Sequence, residues 1–252
     1  MEREEKDLEI MNIFDAIDKR TSRRVYLGLE LNDSQVQFLE KEIELINKKS
    51  GLTFSIIRNA STAFNSLIKT YGLFKNVKSV IVLCGNKKDN DLYEKIGYYG
   101  EMVVLKATQM GLATCWVGGT FDKNDKILGN INHDEKEIVC VITIGLTQDK
   151  KTFREESIKK IVRGKSKKVE DFYEADCEVL NWFTKGIEAV QKAPSAMNSQ
   201  RVKIKHNDGI IKIFIPNDRK FDMVDLGIAK LHFELLARGK FDLGNNAIFH
   251  KE

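Results

Sequence analysis

A chain of 252 residues, 42% of them hydrophobic, can build one large α/β-type domain or two small ones around a packed core. Its 41 basic and 37 acidic residues leave a net charge of only +4, and no dense basic run is interleaved with aromatics, so nothing argues for nucleic acid as a partner. The opening Met-Glu-Arg-Glu-Glu-Lys-Asp is too charged for a signal peptide, and no apolar run approaches the roughly 20 residues that span a bilayer, so the expectation is a cytoplasmic protein with no membrane association.

Taken in order, residues 9–19 place Ile10, Ile13, Phe14 and Ile17 on one helical face, which runs into Arg20-Thr21-Ser22-Arg23-Arg24-Val25-Tyr26. Arginine offers a planar, permanently charged fork and a hydroxyl adds a short donor, so this cluster is an anion-binding set suited to phosphate. A cationic helix end that answers the helix dipole would use the same residues. Asn32-Asp33-Ser34 reads as an N-cap before an amphipathic helix with Val36, Leu39, Ile43 and Ile46 inward, ending near Ser50-Gly51. A strand is expected over 52–57, helical or irregular chain over 60–76, and an apolar strand over 77–83. The longest clean helix is expected over 92–110, where Gly97 and Gly100 allow another backbone to approach closely.

That helix delivers a short strand into Gly118-Gly119, where main-chain N–H groups can be presented to a ligand. A short helix over 124–128 and a central strand over 137–144 follow, then a polar segment with Lys150, Lys151 and Arg154. The basic run over 159–168 reads as a solvated helix end. Val179, Trp182, Phe183, Ile187 and Val190 mark a further helix that Pro194 stops, and alternation at Val202, Ile204, Ile211, Ile213 and Ile215 marks a hairpin beyond it. Between them, Ser195, Asn198, Ser199 and Gln200 each carry a donor and an acceptor, the equipment for reading a heterocycle edge with adjacent N–H and C=O groups. An ordinary helix-to-strand connection has a similar composition.

Cys84, Cys115, Cys140 and Cys177 lie far apart with no C-x-x-C and read as buried thiols; the four histidines are equally dispersed, so no metal is expected. Residues 42–50 line up with 186–194, a shift of 187 − 43 = 144 for the pair Ile43 and Ile187, and the helix between Gly100 and Gly111 is echoed between Gly227 and Gly239 as a second amphipathic helix. Two diverged halves, 1–168 and a shorter 169–252, would share one sheet as a pseudo-dimer within one chain. Only the first half keeps the arginine cluster, and only the second keeps the polar loop.

Arg20 to Tyr26 resembles the R-R-S-x-R-x-F signature of the flavin-dependent nitroreductase family, and Ala193 to Gln200 resembles its A-P-S-x-x-N-x-Q-P loop. Gly111 to Gly119 is similar to the family's G-L-G-T-C-W-x-G-G segment, and Ile144-Gly145 with Lys150, Lys151 and Arg154 is similar to its closing strand and basic tail. The resemblance implies an α+β fold with a central, mostly antiparallel sheet surrounded by helices, and FMN bound between two subunits or, in the duplicated branch, between two repeats. It implies that Arg20, Ser22 and Arg24 hold the phosphate and pyrimidine edge, with Lys151 and Arg154 assisting. Pro194, Ser195 and Asn198 would face the ring system, and Gly118 and Gly119 would offer a main-chain N–H toward flavin N5. Thr21 stands where Arg is usual, Arg201 where Pro is usual, and the second repeat lacks the arginine cluster, which implies one flavin per chain.

In this reading the protein is an FMN-dependent oxidoreductase that carries hydride from NAD(P)H to a nitro-aromatic or quinone-like acceptor, as a monomer or weak homodimer. The alternative is a flavin-binding or ligand-sensing protein of the same fold without turnover.

Overall fold

The computed structural model describes residues 11–58, 74–118, 135–153, 155–157 and 166–252. The short helix expected over 124–128, most of 60–76 and of the basic run 159–168, and the site candidates Gly119 and Arg154 lie outside these residues. Helix α1 (Ile13–Lys19) begins where Asn12 accepts the Asp15 N–H. Helix α2 (Asp33–Ser50) begins with reciprocal bonds between Asn32 and Gln35 and ends at Gly51, whose φ of 73° is left-handed. Strands β1 (Ser55–Ile57) and β2 (Ser79–Asn86), helix α3 (Leu92–Gln109) and strands β3 (Ala113–Val117) and β4 (Lys136–Gly145) follow. They form an antiparallel sheet in the order β1-β2-β4-β3.

After the short strand β5 (Tyr173–Ala175) come α4 (Asn181–Lys192), β6 (Lys203–Asn207), β7 (Ile210–Phe214), α5 (Asp222–Ala237), β8 (Gly239–Phe241) and β9 (Ala247–Lys251). The second sheet runs β5-β6-β7-β9-β8, parallel only between β5 and β6. The single shared sheet expected from the sequence is therefore corrected to two sheets among the described residues. Each half closes its own strand pairings, α3 packs on the first sheet and α5 in the core of the second, and it is these two helices that meet. The terminal hairpin β8–β9 has no counterpart in the sequence reading.

Strand for strand, β6-β7-β9-β8 repeats the order β1-β2-β4-β3, with a helix before the first strand and another between the second and third in each half. The central crossing is reciprocal. A Cβ on Gly97 of α3 would stand 2.0 Å from Val224 O, and one on Gly227 of α5 would stand 2.0 Å from Glu94 O. One offset relates the two contacts to each other (227 − 97 = 224 − 94 = 130), so the helices register Gly227 against Gly97 and not against Gly100. Beside this crossing Lys230 and Glu94 form a buried pair at 2.5 Å, and Lys230 Nζ also donates to Asp242 O and Gly244 O, both at 2.8 Å.

The expectation of an amphipathic last helix is also corrected. Along α5 the polar Asp222, Asp225, Lys230, His232 and Glu234 are as buried as Leu226 and Phe233, because the helix is enclosed by α3, α4 and its own sheet. Cys84, Cys115 and Cys140 are buried as expected, whereas Cys177 is exposed, its Sγ 3.5 Å from His206 Nδ1. Among the described residues no helix is long and apolar enough to cross a membrane, and no group of His, Cys, Asp and Glu is placed to hold a metal ion.

Candidate functional site

Residues 20–26 run in extended form beside both the first sheet and the closing segment. Ser22 bridges to Thr114 of β3, Arg23 N–H donates to Thr114 O at 3.0 Å, and Lys75 accepts from Tyr26 N–H at 3.0 Å and donates its own N–H to Arg24 O at 2.9 Å. The buried Tyr26 hydroxyl meets Thr143 Oγ1 at 2.7 Å and Arg23 O at 3.0 Å, which fixes the segment to β4. Because the backbone is held on both sides, successive side chains take separate roles.

The three arginines divide accordingly. Arg23 is buried; it donates from Nε to Glu155 Oε1 at 3.0 Å and from Nη1 to Gln148 O at 2.9 Å. Desolvation alone would raise the Glu155 carboxyl, but Arg23 and the main-chain N–H groups of Arg24, Thr152 and Val25 outweigh it and hold the group at about 2. Arg23 is thus a structural cation. Arg24 is partly exposed and its guanidinium has no ion-pair partner among the described residues. Lys151 Nζ donates to Thr21 Oγ1 at 2.7 Å, so a residue 130 positions away along the chain joins this cationic face. Ser22 also lies in hydrogen-bonding reach of Cys115, whose thiol is raised by burial.

Arg20 points to the other half of the molecule. Its Nη2 lies 3.3 Å from Lys192 O, at the end of α4 and two residues before Pro194, and its Nε lies 3.7 Å from Glu101 Oε1. The loop that follows α4 is held in an uncommon shape, with Met197, Asn198 and Gln200 at φ of 54°, 51° and 47°. Three non-glycine residues in left-handed conformation so close together cost free energy, and such strain concentrates where geometry serves a ligand.

Several groups impose that shape. Gln200 N–H donates to Ser195 Oγ at 3.0 Å and Asn198 N–H to Ser195 O at 2.9 Å. Buried Asp225 of α5 takes the Ala196 N–H on both oxygens at 2.9 and 3.0 Å, and burial raises its carboxyl to about 7. Lys167 donates its N–H to Gln200 Oε1 at 2.9 Å and its Nζ to Gln200 O at 2.6 Å. This residue, which the sequence places on a solvated helix end, is a clamp on the loop. Arg201, where the family pattern has proline, pairs with Asp222 at 2.8 Å and Asp218 at 2.5 Å.

Within this frame Asn198 Nδ2 is buried with no hydrogen-bond partner among the described residues. A buried donor left over in an otherwise well-bonded loop is open to an acceptor such as a water or a ligand atom. Ser195 and Asn198 make their hydrogen bonds within the loop, and Arg20 links the segment to the end of α4 through Lys192 O. Gly118 lies under the ring of Phe221, where a Cβ would stand 2.9 Å from that ring, so the end of β3 is covered by a residue of the second half. The clamps Lys167 and Asp225 and the cover Phe221 escape sequence reasoning. The only sequence signal for Asp225 is an acidic residue inside an apolar helical run.

Residues 12–237 match the family model described as "Putative TM nitroreductase". Among solved structures, a protein described as a "putative nitroreductase" from Thermotoga maritima MSB8 is 25% identical, with 95% of this chain and 93% of that chain covered and a TM-score of 0.63. An FMN-dependent nitroreductase from Clostridium difficile R20291 is 22% identical over 60% of this chain and 98% of that chain, with a TM-score of 0.45. A search of curated proteins found no match.

Proposed function

Because the chain belongs to this nitroreductase family, a family of oxidoreductases, we propose that it uses FMN, held between its two halves, to pass reducing equivalents from NAD(P)H to a small acceptor. The observation that supports this most strongly is a pair of unmet needs on the two halves. Among the described residues Arg24 has no counter-charge and the buried Asn198 Nδ2 has no acceptor. A phosphate answers the first and a heterocycle carbonyl answers the second, so the residues present fit the cofactor.

Arg20, Ser22 and Arg24, with Lys151 and Arg154, would hold the phosphate and pyrimidine edge. Pro194, Ser195 and Asn198 would meet the ring from the second half, and Gly118 and Gly119 would line its reactive edge with main-chain N–H. When bound, FMN supplies hydride chemistry toward a nitro-aromatic or quinone-like acceptor. The chain itself needs to orient, to supply hydrogen bonds and to keep water out.

The two halves, 1–168 and 169–252, are diverged repeats, a reading supported by their common strand order and by the reciprocal glycine contacts. They would enclose one flavin per chain in a monomeric cytoplasmic protein. Reconstitution with FMN, gel filtration and absorbance measure both the binding and its stoichiometry. A yellow protein with one FMN per chain at every dilution is expected. A colourless protein, or one whose flavin content falls as it is diluted through a dimer dissociation, overturns the proposal.

A further inference from the structure

Glu101 sits one turn beyond Gly97 on α3, fully buried, with three groups converging on its carboxylate. Trp116 Nε1 of β3 donates to Oε2 at 2.8 Å, His232 Nε2 of α5 lies 3.0 Å from Oε1, and Arg20 Nε lies 3.7 Å from the same oxygen. The side chains of Arg20, Glu101 and His232 are 5%, 0% and 0% exposed. The Trp116 ring reaches the carboxylate because Gly100 leaves room for it; a Cβ there would stand 2.5 Å from the indole. The other ring nitrogen of His232 lies 3.1 Å from Ala189 O. A carbonyl only accepts, so Nδ1 carries the hydrogen of that contact.

A carboxylate this deep is costly unless cations and donors surround it, and here they come from three separate elements. Among the described residues Arg20 is consequently approached from both halves, by Glu101 of the first and by Lys192 O of the second. From this geometry we propose that Glu101 is a positioning residue: it presets the orientation of the Arg20 guanidinium, and through Trp116 it ties β3, the strand that leads into Gly118, to the same anchor. The inference rests on the FMN reading for its consequence, since Arg20 is the group that would meet the phosphate. An arginine preset by a buried anion loses less freedom when it binds, so the loss of Glu101 should appear as lost affinity for the phosphorylated ligand.

The test compares FMN with riboflavin in wild type, Glu101→Gln, Arg20→Ala and the double variant. Expected is about a tenfold loss of FMN affinity in Glu101→Gln with riboflavin changed less than about twofold, and no further loss when the substitution is added to Arg20→Ala. Glu101→Asp, which keeps the charge, should fall between wild type and Glu101→Gln, and it carries the comparison if the Gln variant does not fold. Equal losses for both ligands, an unchanged FMN affinity, or the same loss with and without Arg20 would each show that Glu101 only supports the core. If wild type binds neither flavin, the functional reading fails separately, and urea unfolding of the same four ligand-free proteins decides the inference. Non-additive midpoints support it and additive ones overturn it.

Discussion

Alanine at Gly97 is the most direct probe of how the two halves are joined. In an exposed helix Gly→Ala stabilises by about 0.5–1 kcal/mol, so helix propensity alone raises the melting temperature. The crossing reverses the sign. The new Cβ would stand 2.0 Å from Val224 O and 2.8 Å from Val224 C, whereas a comfortable carbon–oxygen contact is about 3.3 Å. A main-chain carbonyl has no rotamer to escape into, so α3 and α5 must part by on the order of 1 Å and loosen the Lys230–Glu94 pair beside them. Overpacking of this kind costs about 1–3 kcal/mol, and the rigidity of the obstacle puts Gly97→Ala near the upper end, about 3 kcal/mol. For a chain of this size that is about 6–12 °C in Tm. Thermal unfolding followed by circular dichroism measures it. Gly227→Ala should cost as much, and the double variant less than the sum, because one separation relieves both clashes. A Tm for Gly97→Ala equal to or above wild type would refute the close crossing.

Two further perturbations separate structure from site. Arg23→Ala strands the Glu155 carboxylate and should lose about 3–5 kcal/mol in urea unfolding, whereas Arg24→Ala should leave the unfolding midpoint in place and weaken FMN; equal effects of the two on stability would dissolve the distinction. The Asp225 carboxyl is raised from about 3.8 to about 7 in the folded chain, so its favourable contribution is complete below pH 4 and disappears as the pH rises through 7, by up to about 4 kcal/mol. Asp225→Asn keeps an acceptor for Ala196 N–H and should flatten stability between pH 4 and pH 8, measured as urea midpoints; curves parallel to wild type would show that the group does not titrate there.

Much of the first half is legible in the sequence because its signals are local. The Asn32 cap, the Gly51 stop and the apolar runs of β2 and β4 each announce themselves within a few residues. The arginine cluster is legible as a set but not in its parts. Nothing in the order of residues 20–24 says that Arg23 turns to a glutamate 132 positions away while Arg24 stays outward. The loop at 193–200 is visible from its composition, yet what shapes it comes from Lys167 and Asp225, whose partners are set by tertiary packing. The same limit explains the sheets. Alternation gives strands, but the decision between one sheet and two lies in which helices come together, and α5 hides its role because a helix enclosed on all sides shows no clear polar face.

The offset of 130 residues between equivalent positions of the two crossing helices sets a timetable for synthesis. Helix α3 leaves the ribosome long before α5 exists, and at typical elongation rates the interval is on the order of ten seconds. Throughout it, the groove around Gly97 has no second helix to fill it, although the sheet beneath can already form. The nascent first half therefore has one unfinished side, because its core includes Ala193, Val224 and Ile228, and the last quarter of the chain closes it. Nascent chains that stall or terminate in that window would display the groove to one another, where the completed protein keeps it sealed.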